Sequence, residues 1–203
     1  MKKSALNVPN TLSLIRVLLV PAFVAAIIFM RDIAIWGQII PALIYALTAL
    51  TDMLDGKIAR KYNLVTDFGK FIDPLADKFM VIGSQIAILT AALLTENSLA
   101  DIIWAIVFTF LVLVILLREL AVTSLRLVVA GKSGIVVAAS MLGKMKTVSQ
   151  MVGTVVIILE PMIPVVCDNH IPSYICMAIM AFTTIFSGLD YLKAYLPAID
   201  PNK

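Results

Sequence analysis

Six long apolar stretches constrain the fold of this chain more than any other feature of its sequence. At about 1.5 Å rise per helical residue, the longer stretches reach across roughly 30 Å of hydrocarbon, whereas the third and fourth must extend as helices into their polar flanks. The fifth gives the weakest signal. Because backbone amides cannot stay unpaired in lipid and no alternating strand pattern occurs, we expect an all-α integral membrane protein with six transmembrane helices. The stretches are 12–30, 33–50, 79–94, 102–117, 148–159 and 171–189.

Composition agrees with one membrane domain over residues 1–203. Apolar residues make up 61% of the chain and charged residues 14%, a balance outside the usual range of soluble domains. The first ten residues carry two lysines, but a full-length apolar stretch follows without a small-residue cleavage site, so we expect the N-terminus to be retained. Cys167 and Cys176 fit neither a zinc site nor a disulfide framework.

The positively charged residues predict the orientation of the bundle. If the N-terminus is cytoplasmic, the connections at 31–32, 95–101 and 160–170 lie on the far side of the membrane. Of the sixteen lysines and arginines, only Arg31 then lies outside. This bias predicts that both termini and the remaining polar connections face the cytoplasm. His170 stands by itself among loop residues, and we expect it to be neither a ligand nor a base.

Four aspartates gather where the second and third apolar stretches meet the cytoplasmic side: Asp52, Asp55, Asp73 and Asp77. As a helix, a loop and a helix, this segment places the first pair three residues apart and the second pair four apart. Each pair then shares a helix face, and two antiparallel helices can direct all four carboxylates at one space. Such like charges repel unless a cation neutralises them. Oxygen-only ligands suit Mg²⁺, Mn²⁺ or Ca²⁺ rather than zinc, so the sequence predicts a divalent metal site.

Neighbouring residues suit a phosphate-containing ligand at the same place. Gly56 removes a side chain where a ligand could approach the backbone, and Arg60 adds a forked phosphate donor one turn further on. A single acid in this segment could instead be a solvated helix-end charge, and Asp73 before Pro74 could be a helix N-cap. Four aspartates, two glycines and an arginine in one segment at the membrane edge are harder to explain in that way.

This segment resembles the signature of the CDP-alcohol phosphatidyltransferases, D-x2-D-G-x2-A-R-x8-G-x3-D-x3-D. A chance match at eight fixed positions has a frequency of about 10⁻¹⁰ per starting point at average composition. The signature covers 26 residues, and the six-helix prediction agrees with the family over the rest of the chain. Its fixed positions are all matched here, by Asp52, Asp55, Gly56, Ala59, Arg60, Gly69, Asp73 and Asp77.

The resemblance implies a reaction and a bacterial plasma-membrane location. In the family, an alcohol attacks the lipid-linked phosphorus of CDP-diacylglycerol and CMP leaves. The four aspartates would hold two divalent ions, Mg²⁺ or Mn²⁺, and Asp73 and Asp77 would be catalytic, with Asp77 acting as a ligand, a general base or both. A homodimer in the lipid bilayer and no nucleic acid partner are also implied. The nucleotide would be held by Asp52, Gly56, Ala59, Arg60 and Gly69.

Three looser motifs are similar to those of bacterial family members whose acceptor is glycerol 3-phosphate. They are PNTLSLIRVLLVP near the start and the segments 118–126 and 143–147. An acceptor that is itself a phosphate needs cations on the same side as the aspartates. We expect Arg118 to be the main one, deep at a helix end beside Glu119 after sixteen apolar or weakly polar residues, and Lys144 to be the second. The set predicted to bind the acceptor phosphate is Arg118, Lys144, Arg126 and Lys146.

Two alternatives remain open at this point. Topology alone would place lysines and arginines in these segments whatever the acceptor, so serine, inositol phosphate or phosphatidylglycerol could replace glycerol 3-phosphate. A cation or proton transporter is an alternative of another class, because acids in membrane helices often mark ion pathways. It predicts acids near the middle of the membrane and repeated halves, whereas these acids cluster at one face and no internal repeat is visible.

Overall fold

The computed structural model describes residues 8–61, 66–95, 98–133, 140–163 and 169–195. The predictions about the retained N-terminus and Cys167 lie outside these residues. Within them the chain forms six long helices and a short 3-10 helix, Glu160–Met162, and no strand, which confirms the all-α prediction. The long helices are α1 (Val8–Phe29), α2 (Trp36–Lys61), α3 (Asp67–Leu93), α4 (Leu99–Ser133), α5 (Met141–Leu159) and α6 (Ile171–Tyr195).

Five of these helices, α1 and α3 to α6, are long and apolar enough to cross a membrane by length and composition within the described part of the chain. Helix α2 has 26 residues, and its last third is polar. It packs against α1 and α5, so it lies within the bundle rather than apart from it. The exposed surface carries large apolar side chains, among them Leu18, Phe29 and Phe110, as expected of a protein whose solvent is lipid.

Three helices, α2, α3 and α4, extend well beyond the apolar stretches that predict them. Helix α3 begins at Asp67, where the hydroxyl of Thr66 accepts a hydrogen bond from the Gly69 amide at 3.0 Å. Asp73 therefore lies inside the helix, and its alternative reading as an N-cap is wrong. Helix α4 ends at Ser133, about four turns past Arg118. The expectation that Arg118 lies at a helix end is also wrong, because a helix does not have to stop where its apolar stretch stops.

Polar side chains inside the bundle pair across helices. The Gln85 side chain donates to the Thr154 hydroxyl at 3.0 Å and joins α3 to α5. The Gln150 side chain donates to the Thr184 hydroxyl at 3.3 Å and joins α5 to α6. Each of these four residues is buried. In a low-dielectric interior such pairs fix the neighbours of each helix, since an unpaired polar group there is costly.

Helices α5 and α6 approach closely at Gly153. A Cβ atom at this position would lie 2.6 Å from the sulfur of Met180, which is fully buried. We therefore expect Gly153→Leu to overpack this contact and lower the stability of the bundle by about 1–3 kcal/mol. The midpoint of thermal unfolding in detergent measures it. Val152→Leu, at an exposed neighbouring position, is the matched control, and equal midpoints for both variants would contradict the prediction.

Candidate active site

One cavity of about 550 Å³ gathers most of the residues that the sequence predicts to be functional. We name it the aspartate cavity. Helix α2 supplies Asp52, α3 supplies Asp73, Asp77 and Lys78, and α4 and α5 supply the other cations together with Glu119. Three of the four signature aspartates line it, together with all four cations predicted to bind an acceptor phosphate. These residues are Asp52, Asp73, Asp77, Arg118, Arg126, Lys144 and Lys146.

Helix α1 holds two of the aspartates in place. The Arg16 side chain is fully buried, and its Nη1 atom lies 2.7 Å from Oδ1 of Asp52. One turn earlier, the buried Ser13 hydroxyl donates to Oδ1 of Asp73 at 2.5 Å. Sequence analysis missed both contacts. Polar residues spaced three apart in an otherwise apolar helix were the available signal, because such spacing places them on one face.

A third α1 residue fixes the start of α3. The Asn10 side chain donates to the Thr66 hydroxyl at 2.8 Å, the same oxygen that caps α3. A Cβ atom at Gly69 would lie 2.6 Å from Oδ1 of Asn10, so the signature glycine permits this close approach of α1 and α3. Gly69 does not line the aspartate cavity. Its predicted contact with a nucleotide stays a prediction.

Four signature residues follow Asp52 on α2, namely Asp55, Gly56, Ala59 and Arg60. Asp55 is three residues further along this helix, so its backbone position shares a face with Asp52. Asp73 and Asp77 lie one turn apart on α3 in the same way. The side chains from residue 53 to residue 61 are outside the described residues. These include the signature residues Asp55, Ala59 and Arg60.

A buried glutamate organises the cations on the other wall of the cavity. Oε1 of Glu119 accepts a hydrogen bond from Nη1 of Arg118 at 2.9 Å and from Nζ of Lys146 at 2.5 Å. The second terminal nitrogen of Arg118 donates to the Ser187 hydroxyl at 2.6 Å. Lys146 is only 5% exposed. Its charge is thus matched by Glu119 within the protein, which the sequence prediction of a phosphate contact did not anticipate.

Tyr191 of α6 orders both arginines. The guanidinium carbons of Arg118 and Arg126 lie 5.3 and 4.8 Å from the centre of its ring, distances at which a cation is attracted to an aromatic face. The Tyr191 hydroxyl also accepts a hydrogen bond from Nη2 of Arg126 at 2.6 Å. Sequence analysis missed this residue. Its one-turn spacing from Ser187, another α6 residue that contacts Arg118, was the available pattern.

Lys144 differs from the other three cations. Lys144 and Arg126 are both exposed, and within the described residues neither forms an ion pair. Arg126 donates to the Tyr191 hydroxyl, whereas the Lys144 side chain makes no such contact there. It lines the aspartate cavity near the start of α5. An anionic ligand that enters the cavity would therefore find Lys144 uncommitted to another side chain.

The acids of the cavity fit a divalent cation by the chemistry of their donors. Asp52, Asp73 and Asp77 offer carboxylate oxygens and no nitrogen or sulfur, the donor set that Mg²⁺ and Mn²⁺ accept. Within the described residues, no three acidic, histidine or cysteine side chains are already drawn together as a metal-binding group. The side chain of Asp55, the fourth predicted ligand, is outside those residues.

Comparison with known proteins agrees with the signature. The family model described as CDP-alcohol phosphatidyltransferase matches residues 6–187. The chain is 37% identical over 199 residues to the CDP-diacylglycerol–glycerol-3-phosphate 3-phosphatidyltransferase of Bacillus subtilis (strain 168), covering 92% of this chain and 94% of that protein. It is 34% identical over 190 residues to the probable phosphatidylglycerophosphate synthase of Mycobacterium tuberculosis (strain ATCC 25618 / H37Rv), covering 94% and 82%.

A third relative, the CDP-diacylglycerol–glycerol-3-phosphate 3-phosphatidyltransferase of Rickettsia typhi (strain ATCC VR-144 / Wilmington), is 35% identical over 188 residues, which cover 93% of this chain and 96% of that protein. Such matches extend over nearly the whole length of both partners, far beyond the 26-residue signature. Together with the complete signature and the cavity that its aspartates line, they establish that this chain belongs to the CDP-alcohol phosphatidyltransferase family.

Proposed function

We propose that the protein transfers the phosphatidyl group of CDP-diacylglycerol to sn-glycerol 3-phosphate, giving phosphatidylglycerol phosphate and CMP. The observation that carries this proposal is the aspartate cavity, which has acids on one wall and Arg118, Arg126 and Lys144 on the other. The acids suit a cation-bound diphosphate, and the opposing cations suit an acceptor that is itself a phosphate. The names of the relatives from Bacillus subtilis and Rickettsia typhi state this same reaction.

On the donor side, Asp52, Asp55, Asp73 and Asp77 would hold two divalent ions, Mg²⁺ or Mn²⁺. When bound, such ions neutralise the oxygens around the reacting phosphorus and the departing phosphate. The nucleotide would lie along α2 against Gly56, Ala59 and Arg60, with Asp52 and Gly69 at its edges. The buried contacts from Arg16 and Ser13 keep Asp52 and Asp73 oriented before substrate arrives, which lowers the cost of ordering them in the reaction.

In the transfer itself, the acceptor hydroxyl oxygen forms a bond to the lipid-linked phosphorus. The bond from that phosphorus to the oxygen of CMP breaks, and CMP leaves. The hydroxyl proton passes to a carboxylate of the cavity, for which we propose Asp77, with Asp73 beside it as a ligand. This assignment uses the ordinary role of a carboxylate as a general base in phosphoryl transfer.

On the acceptor side, a dianionic phosphate near several carboxylates would be repelled unless cations faced it. Both terminal nitrogens of Arg118 donate to protein groups, to Glu119 and to Ser187, which fixes the guanidinium, and a phosphate would contact its remaining N–H groups. Lys144 and Arg126 add charge at the same wall. Lys146 is a positioning residue in this scheme, because it pairs with Glu119 and thereby helps to fix Arg118.

The cellular setting that we propose is the plasma membrane of a bacterium, with a multi-pass chain, a cytoplasmic active site and cytoplasmic termini. The charge distribution supports this orientation, because the cavity rich in lysine and arginine belongs on the cytoplasmic side. In this orientation, the phosphates of CDP-diacylglycerol would lie at head-group depth beside the aspartate cavity while the acyl chains stay in the bilayer. We also propose a homodimer, as the family resemblance implies.

Removal of divalent metal should abolish turnover, because three aspartates line one cavity and the reacting phosphates add further negative charge. We expect excess EDTA to stop CMP release and Mg²⁺ or Mn²⁺ to restore it. A matched sample that receives EDTA already saturated with Mg²⁺ controls for effects of the chelator itself. Full activity in excess free EDTA would remove the metal from the proposal.

Asp77→Asn should lower kcat by about 10²–10⁴-fold while binding of CDP-diacylglycerol changes little, because a base acts in the chemical step. Asp73→Ala should weaken both, since a ligand to the ions also organises the diphosphate. Kinetics at saturating acceptor separate the two effects. Asp32→Asn is the control, since Asp32 is an exposed carboxylate outside the cavity, and we expect it to keep normal kinetics. Near-normal turnover of Asp77→Asn would refute the base assignment.

Arg118→Ala and Lys144→Ala should raise the KM for glycerol 3-phosphate much more than that for the CDP-lipid. A charge-assisted contact of this kind corresponds to roughly 10–100-fold in affinity. Arg118→Lys should recover part of the loss, because lysine lacks the two-point contact. Acceptor titration at saturating CDP-diacylglycerol, read as CMP release, measures these effects. Lys193→Ala, which removes a cation from the end of α6 outside the cavity, is the control.

The same assay identifies the acceptor. Purified protein with CDP-diacylglycerol should release CMP faster with glycerol 3-phosphate than with serine, inositol phosphate or phosphatidylglycerol. A faster rate with any of these other acceptors would overturn the acceptor assignment and leave the family reaction intact. An unchanged acceptor KM in both Arg118→Ala and Lys144→Ala would overturn the phosphate-binding roles.

A further inference from the structure

A second cavity, of about 330 Å³, lies at the end of the bundle opposite the aspartate cavity. We name it the distal cavity. Arg31, one of its lining residues, follows the end of α1, whereas Ser13 and Arg16 contact the aspartates near its beginning. These positions are fifteen or more residues apart, which is roughly 22 Å along a helix. The distal cavity is therefore a separate site, and the proposed transfer reaction makes no use of it.

The polar wall of the distal cavity is fixed by hydrogen bonds. Nε2 of His170 lies 2.9 Å from Oδ1 of Asp101, and its Nδ1 lies 3.7 Å from Oε2 of Glu160. The other oxygen of Asp101 accepts from the amide and the hydroxyl of Ser98 at 2.7 and 2.8 Å. Glu160 accepts from the amide of Ser173 at 3.1 Å and from its hydroxyl. His170 therefore bridges two acids, a contact that its sequence neighbours did not indicate, and the expectation that it is neither a ligand nor a base stays a prediction.

The backbone of His170 supports the same conclusion. Its φ is 48°, in the left-handed region that residues with a side chain seldom adopt. Such a conformation persists where surrounding contacts hold it. Here the imidazole lies between Asp101 and Glu160, and its ring is 5.9 Å from that of Trp104. These contacts define the position of His170 in the polar wall.

Two hydrogen-bond donors at this cavity have no acceptor within the described residues. One is the indole N–H of Trp104, a residue that is only 6% exposed, and the other is Nη1 of Arg31. Both residues line the distal cavity. Buried donors are nearly always paired in proteins, by protein groups, water or a ligand. We infer from these two unpaired donors that the cavity takes a ligand with oxygen acceptors.

Most of the other lining residues are apolar, although Gln38 and Thr95 also contribute. Ile27, Ile88 and Ile158 come from α1, α3 and α5. The volume lies at the lower end of the range of about 300–1,000 Å³ that is typical of ligand pockets. It can hold a polar group and the first part of a chain, but not a whole lipid. Trp36, exposed at the start of α2 at this end, is a residue type enriched at membrane interfaces.

We propose that the distal cavity binds the head-group end of a membrane phospholipid whose head group carries an amine as well as a phosphate. The phosphate and ester oxygens accept hydrogen bonds from Arg31 and Trp104. The amine faces the carboxylates of Asp101 and Glu160, and the start of one acyl chain lies against the apolar walls. A head group with net negative charge fits less well, because two carboxylates stand in the same wall.

Photo-crosslinking in vesicles tests this proposal. The probe is phosphatidylethanolamine with a diazirine close to its ester group, and labelled residues are mapped by mass spectrometry of the digested protein. We expect adducts at the distal ends of α3 and α5. Arg31→Gln should lower this labelling roughly tenfold, the loss expected for one charge-assisted contact. Trp104→Phe keeps the ring, removes the indole N–H and should lower labelling less.

Controls distinguish this lipid from other sources of the same chemistry. Probes of phosphatidylglycerol and of diacylglycerol with the same chains should label the distal cavity less than phosphatidylethanolamine does. Millimolar inorganic phosphate that is present during irradiation should not lower the labelling by phosphatidylethanolamine. Lys193→Gln, a cation change at the opposite end, should leave labelling unchanged. Three results would each overturn the proposal: labelling of Arg31→Gln equal to that of the unaltered protein, labelling by either other probe equal to that by phosphatidylethanolamine, or lower labelling when inorganic phosphate is present.

Loss of fold in a variant would not imitate the expected result. The distal cavity lies apart from the aspartate cavity, so Arg31→Gln and Trp104→Phe should keep CMP release from CDP-diacylglycerol. Each variant is compared only if its thermal midpoint in detergent matches that of the unaltered protein. Where one variant fails this criterion, the other variant and the three lipid probes on the unaltered protein decide the question.

Discussion

The ion pair between Arg16 and Asp52 is the interaction on which the rest of the structure depends. Arg16 is fully buried and lies 2.7 Å from a carboxylate at the cavity wall. Breaking one partner of such a pair leaves an uncompensated charge in a low-dielectric interior, which is strongly destabilising. Helix α1 packs against both α2 and α3, and its polar face holds one aspartate from each. The position of α1 therefore decides whether the acids face one another across the cavity.

On the opposite wall, side-chain contacts likewise hold charged groups in place, but here the groups are cations. Glu119 joins Arg118 to Lys146, and Tyr191 lies beneath both Arg118 and Arg126. Four positive charges without such partners would repel one another and move independently. With these partners, two of them are oriented and one is matched within the protein, while Lys144 stays exposed within the described residues. The wall therefore combines cations held by protein contacts with an exposed one.

The sequence predicts the helices and the signature because both depend on local patterns. Apolar length locates the helices, and spacing places Asp52 with Asp55 and Asp73 with Asp77. The sequence does not predict where α4 ends, since the residues from 119 to 133 mix apolar and polar side chains and contain no proline that would stop a helix. Nor does it predict that Lys146 pairs with Glu119, 27 residues away, or that His170 meets Asp101, 69 residues away. Such pairs depend on which helices become neighbours, and no local pattern encodes that.

The two walls of the aspartate cavity come from different parts of the chain. All the signature aspartates and the α1 residues that hold them precede residue 78, whereas Arg118, Glu119, Arg126, Lys144 and Tyr191 all follow residue 117. In the proposed reaction, the first three helices thus handle the activated lipid and the last three recognise the alcohol. Evolution can then exchange the alcohol by altering only the later helices while the chemical step is inherited unchanged. A family built on this division would keep one invariant segment and diversify everywhere downstream of it.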